Sequence, residues 1–98
     1  NPTTTALLRA GNLSDRATFF RNDLAFALNG TFPKNPHIFL TNLDPSKPAV
    51  AAVALAAQAQ IATFFATDGA TVIDPDGAAP LFETPITLPL PEDLGFIP

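Results

Sequence analysis

The chain has 98 residues, of which 47% are hydrophobic and only 14% are charged, and its formal net charge at pH 7 is −4. A domain of this size buries roughly 60–65% of its unfolded surface, and soluble domains usually have about 25% charged residues. The acidic balance and the five scattered basic residues argue against a nucleic-acid-binding surface. Because the sequence contains no cysteine, disulfide frameworks and thiolate zinc sites are excluded.

The first 30 residues predict two helices. Residues 6–10 form a short helical turn that Gly11 ends, as glycine commonly does. Ser14 is a good N-cap for a second helix, which Asn29 and Gly30 end. An apolar stripe at spacings of three and four predicts that this second helix packs in a core. The stripe consists of Ala17, Phe20, Leu24, Ala27 and Leu28.

The only histidine, His37, lies in a loop ahead of the longest predicted helix. Ile38–Leu40 follows it as a short apolar run and predicts a short strand or the end of one. A histidine in this position can act as a general base that takes a proton from a serine and returns it to the leaving group. The alternative is a structural loop histidine whose ring nitrogens are satisfied by backbone or water.

A long helix is predicted from Ala49 to Ala66, and it lacks any charged residue. Pro48 fits its first turn, either Asp44 or Ser46 can cap it, and Asp68-Gly69 supplies the C-terminal stop. A helix that is apolar on most sides is buried in a large core or in lipid. Two glutamines and many alanines weaken a membrane span, so we expect burial against protein, much of it supplied from outside these 98 residues.

Residues 70–98 predict an extended, proline-rich tail. Thr71–Ile73 indicates a short strand, and Asp74-Pro75-Asp76-Gly77 indicates a tight turn. Leu81–Glu83 and Ile86–Leu88 can pair as a hairpin or run as separate edges, because the prolines restrict strand pairing. The tail is too apolar for a solvated linker, and we expect it to dock on a surface.

Three segments of the chain carry a family resemblance, namely Pro36–Leu40, Gln58–Gly69 and Leu90–Pro98. Together they resemble the C-terminal end of secreted bacterial α/β-hydrolases, of the extracellular lipase and carboxylesterase type. The resemblance covers roughly residues 34–98 and implies an α/β fold. In that fold, His37 is the triad histidine, the long helix packs on the central sheet, and other residues complete the domain.

The remaining members of a catalytic triad are not evident in the sequence. Neither Ser14 nor Ser46 lies in a Gly-x-Ser-x-Gly elbow, so the nucleophile is expected outside this chain. In α/β-hydrolases the acid precedes the histidine, which leaves Asp15 and Asp23 as candidates within the chain and any earlier acid as the alternative. Asp74-Pro75-Asp76-Gly77 also allows a calcium site, but no further ligands follow at loop spacing.

The leading hypothesis is therefore a C-terminal part of a serine ester hydrolase. Residues 1–98 form one segment of a larger domain, whose remainder is a second chain or an upstream region. The substrate is an ester or a lipid, no cofactor or metal is expected, and the resemblance implies a secreted or periplasmic protein. The alternative is a non-enzymatic interaction module, a small helical domain with a proline-rich docking arm, in which His37 is incidental.

Overall fold

A computed structural model describes residues 2–86 of the chain. These residues form three α-helices and a two-stranded antiparallel sheet. The second half of the predicted tail, including Thr87 and Leu88 of the last predicted strand, lies outside the described residues. In chain order the elements are α1 (Pro2–Ala10), β1 (Phe19–Phe20), α2 (Asn22–Leu28), α3 (Pro48–Ala66) and β2 (Phe82–Glu83), with 3₁₀ turns at Ser14–Arg16 and Phe39–Thr41.

Helix α3 forms where the sequence predicts it and ends for the expected reason. Pro48 occupies the first turn, where its missing N–H removes no helical hydrogen bond. At the other end, Gly69 has a φ of +77° and donates its N–H to Phe64 O at 2.8 Å, which satisfies a terminal carbonyl. The predicted side-chain N-cap is wrong, because Asp44 Oδ1 accepts hydrogen bonds from Ser46 N and Oγ within the preceding turn.

The prediction of one continuous helix after Ser14 is wrong. A 3₁₀ turn at Ser14–Arg16 is followed by β1, and only the second half of the apolar stripe forms helix α2. The strand forms because Phe20 lies opposite Phe82 in the antiparallel sheet, and Arg21 N donates to Leu81 O at 2.8 Å. These pairings satisfy backbone groups that a helix would have satisfied locally.

Two further strand predictions are wrong. Ile38–Leu40, next to His37, is part of a turn and a 3₁₀ helix, in which Phe39 N donates to Pro36 O at 3.0 Å. Thr71–Ile73 forms no regular secondary structure, since Ile73 O accepts a hydrogen bond from the side chain of Gln60. The described chain therefore presents only a two-residue sheet ladder, and membership of an α/β-hydrolase fold remains a prediction.

The core lies between α2, α3 and the two strands. Its centre is formed by Ala25, Phe32 and Val50, and Phe20 is among the partly buried side chains that pack against it. The ring of Phe20 also stacks on Phe39, with 4.6 Å between centroids, and lies 5.3 Å from the ring of Phe82. Further buried apolar residues are Ala54, Ala57, Phe82 and Ile86.

The chain bends at Pro75 and Asp76, but the backbone hydrogen bond that closes a turn joins Ala79 N to Asp76 O at 3.2 Å, two residues later than predicted. The carboxylate of Asp76 fixes the start of β2. Asp76 Oδ2 accepts hydrogen bonds from Leu81 N at 2.9 Å and from Phe82 N at 3.3 Å. Partial burial, which disfavours the charged form, raises the pKa of Asp76, and the neighbouring Asp74 carboxyl adds to this. This carboxylate therefore has a structural role at the start of β2.

Replacing Phe20 should destabilise the chain more than replacing an exposed apolar residue. Because its ring touches Phe39, Phe82 and the core, we expect Phe20→Ala to lower the free energy of unfolding by about 3 kcal/mol. Leu28→Ala is the control, since Leu28 is 73% exposed and such sites usually change stability by less than about 0.5 kcal/mol. Urea unfolding followed by circular dichroism measures both, and equal losses would contradict the central position of Phe20.

The raised pKa of Asp76 predicts a pH dependence with a definite sign. Because the folded state favours the protonated carboxyl, its contribution to stability is present at acidic pH and is lost as the pH rises through the folded pKa. Asp76→Asn keeps an acceptor for the two N–H groups, so it should raise the free energy of unfolding at pH 7 and flatten its dependence on pH. Asp76→Ala should instead lower it by about 1–2 kcal/mol. Urea unfolding at several pH values tests this, and a lower stability of Asp76→Asn at pH 7 would contradict it.

Candidate functional site

His37 lies at an exposed position in the loop between α2 and α3. The loop bends there because Asn35 Oδ1 accepts a hydrogen bond from His37 N at 3.0 Å, a local turn that asparagine favours. Among residues 2–86, the structure records no hydrogen bond to the imidazole ring. The residue is exposed, as a general base that meets its substrate from outside this segment would require.

The loop that carries His37 is anchored on its N-terminal side by Asn22. This side chain is 4% exposed, and its Nδ2 donates to Pro33 O and to Lys34 O, each at 3.0 Å. Its Oδ1 is buried without a hydrogen-bond partner among the described residues. Buried polar side chains are normally hydrogen-bonded. Through its two hydrogen bonds, Asn22 fixes the backbone four and three residues before His37.

On its C-terminal side the loop is anchored by an aromatic stack and by helix α3. The ring of Phe39 stacks on Phe20, and Gln58 Nε2 donates to Leu40 O at 2.6 Å. The residues that follow His37 at positions 39 and 40 are therefore held to β1 and to α3. None of these contacts is predicted by the sequence analysis above. The two glutamines in an otherwise apolar helix are the one sequence feature that indicates polar contacts of α3.

The two acids proposed for a triad are placed elsewhere by the structure. Asp15 is exposed in the first 3₁₀ turn, where a carboxylate oxygen lies 3.7 Å from Arg16 Nε. Asp23 forms two hydrogen bonds with Arg21, at 2.9 and 2.6 Å, and these lower the pKa of Asp23. Within the described residues neither acid is hydrogen-bonded to His37, so an acid for the imidazole remains a prediction.

The serines show no preparation for nucleophilic attack. Ser46 Oγ donates to Asp44 Oδ1 at 2.6 Å in the turn before α3. Ser14 begins a 3₁₀ turn, and its carbonyl accepts a hydrogen bond from Ile86 N at 3.2 Å. Neither serine is hydrogen-bonded to His37 among the described residues, and a nucleophile outside this chain stays a prediction.

One side of helix α3 is apolar and exposed along its whole length. Leu55 is 55% exposed, and it shares an arc of about 100° with alanines one turn before and after it, at 100° per residue. By length and composition alone, α3 is the one helix of residues 2–86 that is able to cross a membrane, with a mean hydropathy of 1.7. Core helices pass the same test. The exposed side consists of Ala52, Leu55, Ala59, Ala62 and Ala66, and we call it the alanine face.

A cavity of about 330 Å³ lies beside the C-terminal half of α3, away from the alanine face. Its walls are mostly apolar, and His37 is not among them. Arg16 at its rim donates from a guanidinium nitrogen to Gly69 O at 2.7 Å. The cavity is lined by Arg16, Thr18, Gln60, Ile61, Phe64, Phe65 and Val72.

Comparison with known proteins gives no relative from which a role can be transferred. No protein family, no curated protein and no solved structure matches this chain. The resemblance of the segments around His37 and α3 to secreted hydrolases therefore stays a prediction, and any function must be argued from the residues described above.

Proposed function

We propose that this chain is the C-terminal part of a serine ester hydrolase, in which His37 is the general base and the nucleophilic serine belongs to another part of the protein. The observation that supports it most is an exposed, uncharged alanine face on the helix that follows an exposed histidine in an anchored loop.

The alanine face supports the part of the proposal in which another protein surface covers α3. A helix at the surface of a domain normally places charged residues on its solvent side, whereas α3 has none on any side. Alanines at this spacing let a flat surface such as a sheet approach the helix backbone closely, and Leu55 supplies one larger contact in the middle. Layered packing of helices on a sheet covers faces of this kind.

The anchored loop supports the role of His37. A general base must stay within hydrogen-bonding reach of the group whose proton it takes, which requires a fixed backbone. Asn22 holds the loop before His37, and Phe39 and Gln58 hold it after. The imidazole is therefore held on an anchored backbone, in the loop that directly precedes α3.

The proposed reaction is acyl transfer from an ester. The serine oxygen attacks the ester carbonyl while His37 takes its proton, and His37 then returns that proton to the leaving alkoxide. Water attacks the acyl-enzyme in the same way and releases the carboxylic acid. The backbone N–H groups that stabilise the oxyanion, like the serine, belong to the remainder of the protein.

His37→Ala should abolish ester hydrolysis by the native protein while leaving it folded. We expect kcat to fall by at least about a thousandfold, since triad members act as a unit. Hydrolysis of a p-nitrophenyl ester measures it. Ile38→Ala is the matched control, because this neighbouring side chain is exposed and has no role in proton transfer. Equal activity of His37→Ala and the native protein would overturn the assignment.

Gln58→Ala tests whether anchoring of the loop matters for activity. Loss of the hydrogen bond to Leu40 O should lower kcat by about tenfold, because small displacements of a catalytic group reduce rates strongly. Amide hydrogen exchange of the same variant should become faster at residues 39–42. Ester hydrolysis and hydrogen exchange are therefore both measured on Gln58→Ala. Unchanged activity together with faster exchange would separate the anchor from catalysis.

The alanine face can be tested independently of catalysis. We expect Leu55→Asp to leave the free energy of unfolding of the isolated chain within about 0.5 kcal/mol, because Leu55 is 55% exposed. The same substitution should disrupt association with the remainder of the protein, since it buries an unpaired charge. Leu28→Asp on α2 is the control, and light scattering gives the mass. A native protein that is a folded monomer of 10.3 kDa would contradict the proposal.

The same exposed face also supports the second candidate, a non-enzymatic interaction module whose proline-rich arm docks on a partner. This candidate requires no serine, and it leaves binding unaffected by His37→Ala. Deletion of residues 80–98 should then abolish partner binding, whereas under the hydrolase proposal it should mainly reduce stability. A Gly-x-Ser-x-Gly elbow in the associated protein favours the hydrolase, and its absence favours the module.

A further inference from the structure

The cavity beside the C-terminal half of α3 combines one charged group with an apolar lining. Among the described residues that line it, Arg16 is the one charged side chain, and Thr18 and Gln60 are the other polar ones. Binding sites for small molecules are lined in this way, mostly by hydrophobic and aromatic side chains with a few placed polar groups. The apolar part of the lining consists of Ile61, Phe64, Phe65 and Val72.

The guanidinium of Arg16 is positioned by the turn that ends α3, and it keeps donors for a ligand. One of its nitrogens donates to Gly69 O at 2.7 Å. A carboxylate oxygen of Asp15 lies 3.7 Å from its Nε, which is beyond hydrogen-bonding distance. Arginine carries several N–H donors, and within residues 2–86 this guanidinium forms no second hydrogen bond. The remaining N–H groups are therefore able to bind an anion.

The other polar groups of the lining bind each other and hold the cavity wall in place. Gln60 Nε2 donates to Thr18 Oγ1 and to Ile73 O, each at 2.6 Å. Thr18 Oγ1 shares a further hydrogen bond with Thr84 Oγ1 at 2.8 Å. Both donor positions of the Gln60 amide are used in this way, so the donor that stays available to a ligand is the guanidinium of Arg16.

The aromatic side of the cavity is built on the same turn. A Cβ atom at position 69 would lie 3.2 Å from Phe64 Cζ, so the phenyl ring of Phe64 packs directly against the backbone of Gly69. Phe65 meets this ring edge to face, with 5.9 Å between the centroids. Ile61 and Phe65 are 40% and 73% exposed, and exposed apolar surface is stabilised when an apolar ligand covers it.

We propose that this cavity binds a monocarboxylate with an apolar chain, whose carboxylate pairs with Arg16 while the chain covers Ile61 and Phe65. Arginine matches the two oxygens of a carboxylate with parallel hydrogen bonds. The cavity volume of about 330 Å³ holds on the order of ten heavy atoms, at about the 30 Å³ that a water molecule occupies in the liquid, which suits octanoate. Since His37 does not line the cavity, the inference does not depend on the proposed hydrolase function.

Titration of the isotope-labelled full chain with sodium octanoate tests the proposal by NMR. We expect saturable shifts of the backbone amide signals of Arg16, Phe64, Phe65 and Gly69, with a Kd of about 1 mM or lower. The controls are 1-octanol, which has the chain without the charge, and sodium acetate, which has the charge without the chain. Each should bind at least about tenfold more weakly, because it makes only one of the two contacts. Absence of saturable shifts at these residues, or octanol binding as tight as that of octanoate, would overturn the proposal.

Substitutions separate the two contacts. Arg16→Gln should weaken octanoate binding about tenfold and leave octanol binding unchanged, since hydrogen bonds to a charged group are lost. Arg21→Gln is the matched control, because Arg21 pairs with Asp23 and does not line the cavity. Octanoate affinity that is the same in Arg16→Gln as in the native chain would overturn the proposal.

The apolar contact has its own matched pair of variants. Phe65→Ala should weaken the binding of octanoate and of octanol severalfold, because both chains lose the same apolar surface. Leu28→Ala should weaken neither, although Leu28 and Phe65 are both 73% exposed. Circular dichroism checks that each variant is folded. Equal octanoate affinities of Phe65→Ala and Leu28→Ala would show that the chain does not lie on the cavity wall and would contradict the proposal.

Discussion

The ring of Phe20 is the contact through which the separate segments of this chain are held together. It stacks on Phe39 from the loop that carries His37 and lies against Phe82 from β2, while it packs against the core between α2 and α3. Because the strands supply only two residues each, their hydrogen bonds alone give little stability. Aromatic pairs add about 0.5–1.5 kcal/mol beyond burial, so the ring decides where both the loop and β2 lie.

Amide side chains also hold the irregular segments in place, through hydrogen bonds. Gln58 and Gln60 project from nearly opposite sides of α3 and reach different neighbours: Gln58 bonds the loop at Leu40 O, and Gln60 bonds Thr18 and Ile73. Asn22 does the same for the other end of the loop. A small chain with few large buried side chains gains order from such bonds, because each satisfies backbone groups that irregular segments leave unpaired.

Helix α3 presents two apolar surfaces that the described residues do not cover, and their chemistry differs. The alanine face is flat, uncharged and spans the helix, which suits a large surface such as a sheet. The Ile61–Phe65 end is aromatic and lines the cavity, together with Thr18 and Gln60.

The sequence by itself determined the features whose causes lie within a few residues. Helix α3 begins at Pro48 and stops before Gly69, because proline and glycine fix local backbone geometry. It also placed the candidate His37 in a loop ahead of this helix. Tertiary structure decided the rest: Phe19 and Phe20 leave the predicted helix to pair with residues 82 and 83, and Asn22 and Gln58 fix the histidine loop. Contacts between residues far apart in the sequence depend on how the whole chain folds, and the local spacing of residues does not encode this.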